Sequence, residues 1–109
     1  MPKRDYFIHA TSKLDKKIRI TREYWNYIAR KKHPEVKGKK QQAVETLLNP
    51  DIIKRSSADD KVFLYYLKLQ DRYLCIVIKN LNGQGFIITA YITKKLAKGE
   101  LIYEKVAKN

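Results

Sequence analysis

The chain has 109 residues, of which 44% are apolar and 32% charged, and its twenty-four Lys and Arg against eleven Asp and Glu give a formal net charge of +13. That length suits one domain with a single modest core over 1–109 and excludes two, and the apolar content excludes a disordered tail. Roughly 2–8 charges keep a small domain soluble, so the surplus of cation makes polyanions the leading partners, nucleic acid first and an acidic protein or anionic membrane surface behind it.

In chain order, YFIHA at 6–10 and KIRIT at 17–21 are short and rich in β-branched or aromatic residues, and pair as a hairpin across the polar turn SKLDK. Thr21 then caps a helix opening with Arg22 and Glu23 and carrying Tyr24, Trp25, Ile28 and Ala29 on one side. Arg30, Lys31 and Lys32 complement the macrodipole in its last turn, and Pro34 ends it. The basic loop VKGKK leads into a second helix of about Lys39 to Leu48, with Val44, Leu47 and Leu48 as its apolar stripe and Asn49-Pro50 as its stop.

From Asp51 the pattern becomes that of strands: DIIKRSS, KVFLYYLKL, RYLCIVIK and GFIITAYIT, the last three joined by turns short enough for an antiparallel meander, with ELIYEK as a further edge. A two-residue period through GFIITAYIT puts Phe86, Ile88, Ala90 and Ile92 on a face toward the helices, and Ile87, Thr89, Tyr91 and Thr93 on the other. The fold class read from this is α+β, two N-terminal helices packed on one face of an antiparallel sheet of about four or five strands, preceded by a short hairpin. Cys75 lies inside LCIVI with no second cysteine to pair with, which fits a buried thiol in a reducing compartment. No apolar stretch approaches the ~20 residues of a membrane span. The amino terminus also lacks the apolar core of a secretory signal, so the reading is cytoplasmic, with no membrane partner.

Among residues able to do chemistry, His33 follows Trp25 and Ala29 at intervals of four and so belongs to the side of the helix that carries the indole. It reads either as a helix-end histidine on free carbonyls or as a general acid or base. Lys37-Gly38-Lys39-Lys40 precedes a helix start and suits a phosphate, as does the cluster Lys54, Arg55, Ser56 and Ser57 with Lys79 at the end of the third meander strand. The three hydroxyls of Thr89, Tyr91 and Thr93 read as a solvated strand or as a surface for a polar ligand. No zinc-binding Cys/His set, phosphate loop or dinucleotide fingerprint is present, and Asp59-Asp60 is the only adjacent pair of carboxylates. The predictions are therefore no metal and no cofactor. Nucleic-acid cleavage without metal favours RNA, whose 2′-hydroxyl is a built-in nucleophile.

The series YWNYIARKKHPEVKG, AVETLLNPDIIKRSS, VFLYYLKL, YLCIVIK and GFIITAYIT resembles the phage- and mobile-element-associated nucleases grouped with barnase, EndoU, the RNA-cleaving colicins and RelE, over about residues 22–93. The most specific pieces are His33-Pro34-Glu35, Asn49-Pro50-Asp51 with the serines after it, and Thr89-Ala90-Tyr91. The resemblance implies a curved sheet with an RNA-cleaving concave face and a metal-independent endoribonuclease, toxin-like, with an acidic antitoxin or immunity protein as masking partner. It implies that His33 acts as acid or base and that Thr89 and Tyr91 bind or polarise the phosphate. Arg55 and Lys40, with Ser57 and Lys79 as further binding residues, would neutralise charge on it. Glu35 is a candidate base. No barnase-like glutamate with a second histidine is seen, nor a RelE-like arginine-rich tail ending in tyrosine. The competing readings are a non-catalytic RNA- or DNA-binding module stacking bases on Tyr91, Tyr66 or Trp25, and an adaptor for an acidic protein.

Overall fold

A computed structural model of the chain describes residues 6–106. Alternating apolar and polar side chains on either side of a polar turn make the antiparallel strands β1 (Tyr6–Thr11) and β2 (Lys17–Thr21). The Ser12 hydroxyl organises that turn by accepting from the N–H groups of Leu14 and Lys16, and it shares a 2.8 Å hydrogen bond with the buried Tyr65 hydroxyl. Thr21 caps α1 (Arg22–Tyr27), its Oγ1 accepting from the Tyr24 N–H at 3.2 Å. The helix then widens into a π-helical turn, Ile28–Lys32, closed by the His33 N–H donating to the Ile28 carbonyl at 2.7 Å. Pro34 forces a new start as a 3₁₀ turn, Pro34–Val36, before α2 (Lys40–Leu48).

Five strands follow: β3 (Ile52–Ser56), β4 (Val62–Leu69), β5 (Arg72–Leu81), β6 (Gln84–Thr93) and β7 (Gly99–Glu104). All seven form one sheet in the order β1-β2-β6-β5-β4-β3-β7, with β2 and β6 parallel and every other pair antiparallel. This corrects the reading of two N-terminal helices on an antiparallel sheet of four or five strands. Sheet dominates, the helices are short, and they lie between β2 and β3 in the chain.

The physical reason is that the strands flanking the meander extend the sheet at both edges, β1 and β2 burying Ile8, Ile18 and Ile20 and β7 pairing along β3. Ile18 and Arg19 of β2 reach β6 opposite Gly85 and Phe86. That approach depends on glycine, since a Cβ on Gly85 would sit 2.8 Å from the Ile18 Cγ1. At the other end β7 pairs with β3, so residues 94–98 must pass over β5, β4 and β3. Four strand spacings measure about 19 Å on a flat sheet and six peptide units reach at most about 21 Å, so on a flat sheet the passage would have almost no slack.

The helices cover one face, where Trp25, Ile28, Val36, Ala43 and Leu47 bury against the sheet. The opposite face carries a smaller cluster of Ile52, Leu64, Tyr66, Cys75 and Val77. The 94–98 passage roofs part of that cluster: the Ala97 N–H donates to the Tyr66 hydroxyl at 2.9 Å, and Lys54 Nζ donates to the Ala97 carbonyl at 2.7 Å.

β6 does not keep a strict two-residue period. Val77 faces Thr89 but Ile78 faces Ile87, so Ile88 is an extra residue in a β-bulge. The bulge reverses the expected faces on its N-terminal side: Ile87 joins Ala90 in the helix-side core, whereas Ile88 packs with the opposite cluster and Phe86 stands across from Lys79. No helix among the described residues is long and apolar enough to cross a membrane.

Candidate functional site

Because β2 pairs with β6 only at Gly85 and Phe86, the rest of that β6 edge has no strand beside it. Side chains close it instead. The Tyr24 hydroxyl donates to the Ile88 carbonyl at 3.0 Å, and the Ile92 N–H donates to Glu35 Oε2 at 3.4 Å. Glu35 Oε2 also lies 3.3 Å from His33 Nδ1, so one carboxylate oxygen ties the His33 turn to the strand and orients the imidazole. The His33 ring packs on Tyr91, with centroids 5.5 Å apart and planes inclined by 40°.

The expectation that His33 shares a side with Trp25 is corrected here. The π-helical turn breaks the four-residue phase, and His33 itself is extended at φ −139° and ψ 79°, so its ring reaches β6. Trp25 is buried and stacks on Phe7. His33 and Glu35 keep 34% and 38% of their side chains exposed, so the pair is open to solvent in part.

Tyr91, Cys75 and Tyr66 are register neighbours across β6, β5 and β4. Burial pushes all three up: Cys75 to about 12 against attenuating hydrogen bonds from Tyr91 and Tyr66, Tyr66 to about 12, and Tyr91 further still, its hydroxyl being turned toward the Cys75 thiol. All three therefore stay protonated near neutrality. Tyr91 presents its ring to His33 while its hydroxyl is held in the sheet, and Thr89 Oγ1 is withdrawn from solvent with no hydrogen-bond partner.

The binding residues read from the sequence do not gather at this point. Lys79 is paired with Asp59 at 3.2 Å, and Arg55 of β3, three strands from β6, is paired with Glu100 of β7. Asp59 is correspondingly held below the usual carboxylate range, first by the Lys61 N–H and then by Lys79. Ser57 is exposed beyond the end of β3, and Lys40 Nζ lies 4.7 Å over the Phe7 ring on the helix side. Trp25 and Tyr66, expected as stacking platforms, are 3% and 0% exposed. The exposed rings are instead Tyr24 and Tyr27 of α1, whose three-residue spacing beside Arg30, Lys31 and Lys32 was the available signal. Among the described residues no three His, Cys, Asp or Glu side chains gather as a metal set. Comparison with family models, with curated proteins and with solved structures finds no match to this chain.

Proposed function

We propose that the chain binds RNA and cleaves it as an endoribonuclease by attack of the neighbouring 2′-hydroxyl, with His33 as the group that moves the proton. The observation that carries this reading is the half-exposed His33 imidazole held through Nδ1 by Glu35, at the end of a helix bearing Arg30, Lys31 and Lys32, in a chain of net charge +13. This role needs the tautomer in which Nδ1–H faces the carboxylate 3.3 Å away and Nε2 carries the lone pair. It takes the proton from the 2′-hydroxyl as the O2′–P bond forms and the P–O5′ bond breaks, and water protonates the departing O5′. Glu35 and Tyr91 act through His33 by fixing its ring, and the product end is a 2′,3′-cyclic phosphate.

A second reading, an RNA-binding module without catalysis, is favoured by the pairing of Arg55 and Lys79 with carboxylates, which removes two cations from the transition-state charge. End-labelled RNA incubated in EDTA with the purified protein separates the two. The nuclease reading expects fragments with cyclic phosphate ends and a loss of about 10²–10⁴-fold in rate for His33→Ala, with Glu35→Gln intermediate. Intact RNA across many sequences would leave the binding module. Cleavage unaltered in His33→Ala would remove His33 from the mechanism.

A further inference from the structure

The outer side of α1 holds a feature that the His33–Glu35 pair does not use. Tyr24 and Tyr27 stand nearly one turn apart, 37% and 48% exposed, with ring centroids separated by 5.9 Å. They line three adjoining shallow hollows with shared walls, together a depression with Arg30 and Lys31 at one end, Thr21 between, and Phe86 and Ile88 of the β6 bulge at the other. Its rim is cationic: Lys32 Nζ lies 5.8 Å from the Tyr27 centroid, and the Arg19 guanidinium covers Phe86 at 4.8 Å. Glu23 is the one carboxylate among the described residues that lines it. The Tyr24 hydroxyl is anchored on the Ile88 carbonyl, which fixes that ring before anything binds. The depression and the His33 turn follow the same edge of β6, since Tyr24 meets it at Ile88 and Glu35 at Ile92, about 13 Å further along the strand.

We infer that this depression is a base-stacking subsite for single-stranded RNA, in which Tyr24 and Tyr27 receive unpaired bases while Arg19, Arg30, Lys31 and Lys32 receive phosphates. The inference rests on the RNA-binding part of the function proposed above and names where the strand lies. Flat rings stack on any base, and the cations beside them follow a phosphodiester backbone. The bases of a duplex are stacked on one another and offer no free face to rings on a convex helix, so the occupant is single-stranded. Arg19 already covers Phe86, which leaves the two tyrosines as the stacking surface.

The test is anisotropy of a fluorescent, uncleavable 2′-O-methyl oligonucleotide titrated with the whole protein and its variants, over a series of salt concentrations. Tyr27→Leu is expected to weaken binding by roughly 5- to 150-fold and Tyr27→Phe by no more than about twofold, because the phenyl ring keeps the stacking face. The salt dependence stays the same in both, since no phosphate contact is lost, whereas Lys31→Ala lowers the slope by about one phosphate contact. If the wild type binds and Tyr27→Leu binds within about twofold of it, the subsite is overturned and the RNA reading stands. If the wild type binds duplex as tightly as single strand, the stacking role is overturned. If the wild type binds no single strand at low salt, both the subsite and the RNA reading fall. Thermal unfolding of each variant, at an exposed position, establishes that the comparison is between folded proteins.

Discussion

Cys75 offers the sharpest physical test of the buried row beside His33. The thiol is fully buried between Tyr91 and Tyr66, and its ionisation is moved from 9.0 in the free side chain to about 12 in the fold, chiefly by burial. A raised folded-state value means that the folded protein holds a proton which the unfolded chain releases. The stabilising contribution is therefore complete below about pH 9 and is lost as the pH climbs toward about 12. Three pH units at about 1.4 kcal/mol each make about 4 kcal/mol lost once the thiol must ionise, against the ~5–15 kcal/mol total stability of a typical domain. Tyr66, raised to about 12 from 10.0 by the same burial, adds a contribution of the same sign.

Urea unfolding followed by circular dichroism at steps from about pH 8 to about pH 11, on the wild type and on Cys75→Ala, reads this directly. The variant starts lower because it leaves a small void, but its stability should decline less with pH. With a denaturant slope of ~1–3 kcal/mol/M, the wild-type midpoint should fall by roughly 0.5–1.4 M more per pH unit than that of the variant. Curves that run parallel across the whole range would refute the argument, because groups common to both proteins would then explain all of the alkaline loss.

Three further outcomes follow from individual contacts. Ser12→Ala leaves the buried Tyr65 hydroxyl without a partner and should cost about 1–3 kcal/mol in chemical denaturation, with Tyr65→Phe in the same chain recovering part of it; full additivity of the two changes would show that they do not interact. Gly99 opens β7 at φ +156°, where a Cβ would strike the Arg55 carbonyl, so Gly99→Ala should cost about 2–4 kcal/mol and speed amide exchange along β3 and β7; an unchanged thermal midpoint contradicts it. Lys79→Ala removes one of the two groups that hold the Asp59 carboxyl below its ordinary value, the Lys61 N–H remaining, so the stability Asp59 lends at neutral pH and loses as the pH falls through its lowered folded value should shrink in the variant; acid unfolding profiles identical to wild type would show the pair to be idle.

Local signals carried much of this molecule and long-range ones did not. β-branched and aromatic runs marked the strand segments, and Thr21 and Pro34 marked the helix limits, because each acts on its immediate backbone. Neighbouring strands were legible from their short turns, as the β1–β2 hairpin and the β4–β5–β6 meander show, but distant partners were not: Ile18 meets Gly85 and Ser56 meets Gly99 across long stretches of chain, and periodicity reports faces, not neighbours. The two departures from regular period had the same hidden character. An extra residue at Ile88 exchanged the faces of Phe86 and Ile87, and a π-helical turn redirected His33 from the Trp25 side to Tyr91. His33, Glu35 and Tyr91 were singled out by residue type and adjacent motifs, and the structure brings the three together, whereas the cations at Arg55 and Lys79 could not be told in advance from carboxylate-paired ones.

The passage from Lys94 to Lys98 also sets a dependence within folding. It follows β3 through β6 in the chain, so a meander formed without it would leave Tyr66, Cys75 and Val77 bare on one face. Closure of that adhesive patch waits for Ala97 and the pairing of β7 on β3. The same closure can be read from outside: a transient lift of this strap would admit a thiol reagent to Cys75 while the helix-side core stays intact, so the labelling rate of the cysteine would time opening at one end of the sheet.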